Sequence, residues 1–280
     1  MDVEIRVDSQ SMNLSAYLER INYIGSLEPT VQTLYALHRQ HLLHIPYENL
    51  DIHLGRRLEL NQEHIFEKLV TQKRGGWCYE MNTLFAWALR ELGFEVTLLS
   101  GAVNRDKFGA DVEGTHLLLL VELEQAYLVD VGFGDLPEVV PLKEGSYTYD
   151  FLTVRLTKDA ECWTLHNHDY GGAKMFDFTL QPRQLADFAA QCHRQQTSPD
   201  SGFVKTTVCQ IFNHSGFATL RGAVLQTVTK EGVVKRTLDS EKEYEKVLRQ
   251  MFGLELPTHE LYAKVWQRHL DWLVSNPAKG

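Results

Sequence analysis

A chain of 280 residues, 44% hydrophobic and 23% charged, has the apolar content for a sizeable core, and at ~100–200 residues per domain it has room for two or three units. Its net charge of −9, with basic residues only in short pairs such as Lys73-Arg74 and Arg56-Arg57, argues against a nucleic-acid binder. Four cysteines without a CxxC pair argue against a disulfide framework, residues 1–10 lack the apolar stretch of a signal peptide, and the run Leu117 to Val121 is too short to span a bilayer, so a soluble, cytoplasmic protein without a membrane partner is expected.

The first third reads as helical. Ser15 is placed to cap a short helix through Ile21, and Thr30 to cap a helix from Val31 toward His44, which Pro46 ends. A third helix is expected from about Gln62 to Val70. His38, His41 and His44 recur every three residues on the second helix. Such a row seldom converges on one ion, so a partly solvated helix face is expected and no metal.

Arg74-Gly75-Gly76-Trp77-Cys78 puts a cysteine where a glycine turn becomes a helix. The apolar residues Trp77, Met81, Leu84, Phe85, Ala88, Leu89 and Leu92 then trace one helix face, and Gly93 is a fitting stop. Cys78 therefore lies in the first turn, where unpaired N–H groups and the helix dipole favour a thiolate.

At Phe94 the texture changes. Phe94 to Val103, Thr115 to Leu123, Ala126 to Phe133, Thr148 to Leu156, Cys162 to His166 and Lys174 to Leu180 read as strands of a small antiparallel sheet or barrel. Residues 183–193 read as helix and Ser198 to Gly202 as a turn. Strands at Lys205 to Phe212, Ala218 to Thr229 and Val233 to Leu238 follow, then helices at about Glu241 to Met251 and Thr258 to Val274. Helices, then strands, then a mixed segment indicate an α+β fold.

A cysteine nucleophile needs a base, and the base an orienting group. His116 opens one strand and Asp130 sits inside another, where an unpaired carboxylate is costly. They are 14 residues apart, so they share a sheet face only if the intervening turn is odd in length. A three-residue turn, Leu123-Glu124-Gln125, puts Asp130 opposite Leu118 and diagonal to His116 at roughly 7–8 Å. A two-residue turn puts them on opposite faces. Spacing alone leaves a structural reading of all three residues open; His166 and His168 are weaker signals, and Gly132-Phe133-Gly134 is no phosphate loop.

RGGWCYEMN at 74–82 resembles the active-site segment of the arylamine N-acetyltransferases. IPYENLDIH at 45–53, THLLLLV at 115–121, YLVDVGFG at 127–134 and SPDSGFVKTTV at 198–208 are similar to segments of that family in the same order. The length, without a long insertion before the last third, looks more like the bacterial members. The resemblance implies a papain-like or transglutaminase-like cysteine core, with a helical unit at 1–93, a β-barrel at 94–195 and an α/β lid at 196–280. It implies Cys78 as nucleophile, His116 as base, Asp130 as orienting carboxylate, acetyl-CoA as donor, and aromatic amines, hydrazines or N-hydroxyarylamines as acceptors.

On that basis the backbone N–H groups of Cys78 and Thr115 are expected to hold the oxyanion. Tyr47, Phe133 and Val103 are expected to wall the acceptor ring, and Gly132 and Gly134 to let the backbone approach the coenzyme's pantetheine arm. Arg74 is expected to form a buried pair with Glu48. A cysteine hydrolase or amidase, a biosynthetic amide synthase and a non-catalytic binder of aromatic ligands are the alternatives.

Overall fold

The computed structural model describes residues 12–275. The reading of residues 1–10 lies outside them. Helices Leu14–Arg20 and Val31–His44 open the described chain. Thr30 caps the second, accepting from the Thr33 N–H, while Asn13 rather than Ser15 caps the first, accepting from the Ala16 N–H. The third expected helix is two pieces: an α-helix Gln62–Phe66, and a π-turn Glu67–Thr71 that swings Lys68 inward.

The Cys78–Glu91 helix lies at the centre of the largest apolar cluster. Every residue from Cys78 to Leu89 is buried, so its polar side chains Glu80, Asn82 and Thr83 are interior, not a solvated face. Beside it runs an eight-stranded antiparallel sheet, in the order Val140–Pro141, Ala126–Val129, His116–Glu122, Glu95–Val103, Met175–Phe178, Cys162–His166, Leu152–Asp159 and Gly145–Tyr149. The two outer strands follow one another in sequence. Tyr149 at the end of one donates its hydroxyl to the Val139 carbonyl beside the other at 2.7 Å, so the sheet is nearly closed and barrel-like.

This geometry explains the unbroken run Leu117 to Val121. Leu117, Leu119 and Val121 pack into the cluster around the Cys78 helix, and Leu118 and Leu120 into the barrel's own core. A strand buried on both faces has no polar alternation. Two expected strands are in fact hairpins. Thr148 to Leu156 turns at Asp150, which adopts φ 56°, between Gly145–Tyr149 and Leu152–Asp159. Ala218 to Thr229 turns at Gly222-Ala223 between Gly216–Arg221 and Val224–Thr229. In both, β-branched and other apolar residues on either side mask a tight turn.

A second, five-stranded sheet combines Val208–Asn213, Gly216–Arg221, Val224–Thr229 and Gly232–Thr237 with an unexpected partner, Tyr47–Glu48 from the first third. Tyr47 pairs with Gln210 and Glu48 with Cys209. The short helix Leu50–Leu54 follows, and its Leu50 and Leu54 join the core formed by helices Glu241–Phe252 and His259–Ser275. Among the described residues no helix is long and apolar enough to cross a membrane.

Candidate active site

The turn before Cys78 is held from below by charge. Arg74 Nη2 contacts Glu48 Oε1 at 2.6 Å and Asp51 Oδ1 at 3.2 Å. Lys68 Nζ contacts Asp51 Oδ2 at 2.9 Å and Glu80 Oε1 at 2.9 Å. Glu80 Oε2 accepts the Trp77 N–H, the residue just before the helix. Burial pulls Lys68 and Arg74 down, but their carboxylate neighbours, Glu80 and Glu48 foremost, outweigh it and hold both cations charged. Gly75 is compelled by space: a Cβ there would fall 2.1 Å from the Pro46 carbonyl oxygen.

His116 and Asp130 meet as the odd turn requires. Strands His116–Glu122 and Ala126–Val129 pair in the register Leu119 to Val129 and Glu122 to Ala126, leaving three residues in the turn. His116 Nε2 donates to Asp130 Oδ2 at 2.6 Å, and both residues are buried. Asp130 itself lies one residue past its strand. Its backbone leaves the ladder because other partners take it. Its carbonyl accepts from His38 Nε2 at 3.1 Å, the Val131 N–H goes to Asn82 Oδ1 at 3.0 Å, and the Gly132 N–H returns to Asp130 Oδ1 at 2.8 Å.

Asn82 completes the clamp, donating to Asp130 Oδ1 at 2.8 Å and to the Leu117 carbonyl at 2.6 Å. It stands four residues after Cys78, hence on the same helix face. A polar residue at that spacing in an otherwise apolar helix was the signal available in the sequence. The histidine row on Val31–His44 is solvated only at its end: His38 and His41 are fully buried, and His44 is half-buried. His38 backs Asp130, and His41 Nδ1 shares a hydrogen bond with Tyr17 Oη at 2.9 Å. Against the expected partly solvated face, these two rings turn to the core because each finds a polar partner there.

The Cys78 sulfur is buried against the main chain on either side of His116. Its Sγ donates to the Thr115 carbonyl at 4.0 Å. Burial pushes the thiol well up, and the charges of Asp130 and Cys192 add to that. The backbone N–H groups of Leu117 and Tyr79 act the other way. The Thr115 N–H, expected to hold an oxyanion, is bonded to the Val112 carbonyl at 3.2 Å, so Thr115 turns its acceptor, not its donor, to the sulfur. All four cysteines are unbridged, and among the described residues no group of three or more His, Cys, Asp or Glu could hold a metal ion.

Phe133 lies 5.2 Å from the His116 ring and 4.8 Å from Phe176, centroid to centroid, and Val103 packs in the same cluster. Gly132 does not face open space. A Cβ on it would stand 2.7 Å from Cys78 Cα and 2.6 Å from Asn82 Nδ2, so the helix start fills the room expected for the pantetheine arm. Gly134, at φ 93°, faces Gln210 and Tyr47. Gln210 also lines a cleft of about 450 Å³ whose walls carry Lys205, Arg221, Lys235 and Arg268 against one carboxylate, Asp135.

A family model described as N-acetyltransferase matches residues 30–261. The chain is 34% identical over 279 residues to the arylamine N-acetyltransferase pineal gland isozyme NAT-10 of Gallus gallus, covering 88% of this chain and 95% of that protein. It is 32% identical over 275 residues to arylamine N-acetyltransferase 1 of Homo sapiens, with the same coverage. Among solved structures, the Mycobacterium marinum arylamine N-acetyltransferase in complex with CoA superposes with a TM-score of 0.84 at 28% identity, covering 92% of this chain and 98% of that one. The Nocardia farcinica arylamine N-acetyltransferase gives 0.82 at 34% identity over 94% and 97%.

Proposed function

The chain belongs to the arylamine N-acetyltransferase family and is an acyltransferase with acetyl-CoA as co-substrate, and from that premise we propose that it works in two half-reactions through a thioester on Cys78. The observation that carries this reading is the buried His116–Asp130 pair at the start of the strand whose backbone flanks the Cys78 sulfur.

Because Asp130 can only accept, His116 carries its proton on Nε2, which leaves Nδ1 as the base. His116 takes the thiol proton and becomes an imidazolium that Asp130 stabilises. The thiolate attacks the acetyl carbonyl, the thioester bond to coenzyme A breaks, and the coenzyme leaves as its thiol with the proton from His116. An acetyl-cysteine remains. The acceptor amine then attacks it, gives its proton to His116, and departs as the amide while Cys78 is released. Burial of Cys78 raises the cost of a lone thiolate, so ionisation and proton transfer to His116 go together.

The backbone N–H groups of Cys78 and Tyr79, at the open helix end, are assigned to the oxyanion in place of the Thr115 N–H. Phe133, Tyr47 and Val103 are assigned to the acceptor ring, which makes arylamines, arylhydrazines and N-hydroxyarylamines the substrate class. The cationic cleft beyond Gly134 and Gln210 suits the coenzyme's phosphates, its basic side chains offering charge-assisted donors.

The test is intact mass spectrometry after mixing with acetyl-CoA and no acceptor. An acetyl-sized gain on Cys78, discharged by an added arylamine, is expected. No gain, or loss of the acetyl group to water as fast as to amine, would reject the proposal.

A further inference from the structure

Gln195, on the helix Ala189–Thr197, is buried, and its Nε2 donates at 2.8 Å to the Thr115 carbonyl and at 2.8 Å to Tyr79 Oη. A carbonyl only accepts, so the nitrogen of this amide must face Thr115, and both its hydrogens are committed. Tyr79 passes the arrangement on, donating to the Gly114 carbonyl at 2.7 Å. The two peptide units before His116 are thus tied, one through Tyr79 of the Cys78 helix and the other directly, to the helix that carries Gln195. That helix is itself fixed: Gln196 exchanges two hydrogen bonds of 3.0 Å with the Leu58 main chain, and Ser201 Oγ donates to the Gln195 carbonyl at 2.6 Å.

We infer that Gln195 is a positioning residue for the nucleophile, holding the Thr115 carbonyl beside the Cys78 sulfur and drawing its lone pairs away from it. The inference rests on the reading of Cys78 as nucleophile. Its chemistry is direct. The Thr115 oxygen receives the resting thiol's proton at 4.0 Å, so once the sulfur is ionised the same oxygen repels it. A second donor on that oxygen weakens it as an acceptor and lessens the repulsion, favouring the ionised sulfur. The other ionisable groups whose charges act on the sulfur are Asp130, Cys192, Tyr47 and Tyr79, and His116 follows Thr115 in the chain. None of these bonds to the Thr115 oxygen.

The test uses the full chain with Gln195→Leu, which removes both donors at similar volume. Iodoacetamide alkylation of Cys78 is followed against pH by peptide mass mapping. The midpoint is expected to rise by about half a unit or more, equivalent to roughly threefold less thiolate below it. Acetylation by acetyl-CoA should slow by a similar factor. Gln195→Glu, isosteric but carrying a charge toward the same oxygen, should move the midpoint further in the same direction, and serves if the leucine variant is unstable. An alkylation profile that overlies the parent's in either folded variant would overturn the inference. A parent protein that alkylates at Cys78 but takes no acetyl group would instead overturn the acyltransfer reading and leave this test intact.

Discussion

His116 Nε2 donates to one oxygen of Asp130 at 2.6 Å, while the other oxygen is already filled by Asn82 Nδ2 and the Gly132 N–H, each at 2.8 Å. The carboxylate is saturated with donors and has no place for one of its own. Asp130→Asn must turn an amide N–H toward either the imidazole or the clamp. The acetylation half-reaction, read as single-turnover release of coenzyme A, should fall by about 10⁴-fold, the scale found when a triad carboxylate becomes an amide. A fall below tenfold would remove Asp130 from the mechanism.

Gly132→Ala tests the fit between the Asp130 loop and Cys78. The added methyl meets Cys78 Cα at 2.7 Å and Cys78 O at 2.8 Å, backbone atoms that cannot swing aside. The loop must retreat, which should cost ~1–3 kcal/mol of stability and, through misplacement of reacting groups, about 10²-fold in acetylation rate. Unchanged kinetics would show that the loop and the helix start need not touch.

Below the turn, Glu48, Asp51 and Glu80 share Arg74 and Lys68. Glu48→Ala leaves Arg74 buried with one partner fewer and takes the acceptor from the Leu50 N–H, bonded at 2.6 Å. It should lower stability by ~3–5 kcal/mol, seen as a depressed denaturant midpoint or melting temperature before any change in chemistry. An unchanged melting temperature would reject the assignment.

Glu138 gives a pH signature. Burial raises its carboxyl from 4.5 to about 7, whereas the unfolded chain titrates near the ordinary value. Between those values the folded state holds the extra proton, so this group's contribution to stability falls as pH rises from about 4.5 through about 7. His38, whose Nδ1 lies 3.6 Å away, is lowered by burial to about 4 and contributes in the opposite sense, losing stability as pH falls from 6.5 toward about 4. Glu138→Gln keeps the shape and an acceptor for the Val139 N–H. Its melting temperature should match the parent's near pH 4 and exceed it near pH 8; the reverse ordering would contradict the assignment.

The cationic cleft predicts a separation of binding from chemistry. Arg221→Gln should raise KM for acetyl-CoA about tenfold, as expected for one charge-assisted contact of ~1.5 kcal/mol or more, with kcat nearly kept. Added salt should shrink the difference between variant and parent. Loss confined to kcat would move the coenzyme elsewhere.

What the sequence made legible is local. The helix start at Cys78 follows from glycines and 3.6-residue periodicity, whereas the meeting of His116 with Asp130 hung on the parity of one turn, which the sequence left open and the strand register supplies. What stayed hidden depends on partners far along the chain. His38 and Asn82 look like surface polar residues until Asp130, 92 and 48 residues later, supplies their bonds. Gln195 carries no pattern at all, since its partners Tyr79 and Thr115 lie 116 and 80 residues earlier. Lys68 was hidden by a π-turn that ordinary helical spacing does not anticipate.

The strand Tyr47–Glu48 has its sheet partner at Cys209 and Gln210, and Leu50 and Leu54 lie in a core made mostly of the last third. During synthesis this segment leaves the ribosome long before its neighbours exist, with an unpaired edge and bare leucines. Since Glu48 pairs with Arg74 in the turn before Cys78, that turn should not be fixed in a nascent chain until residues near 210 have emerged. Fragments ending before that point should be inactive and prone to stick to one another.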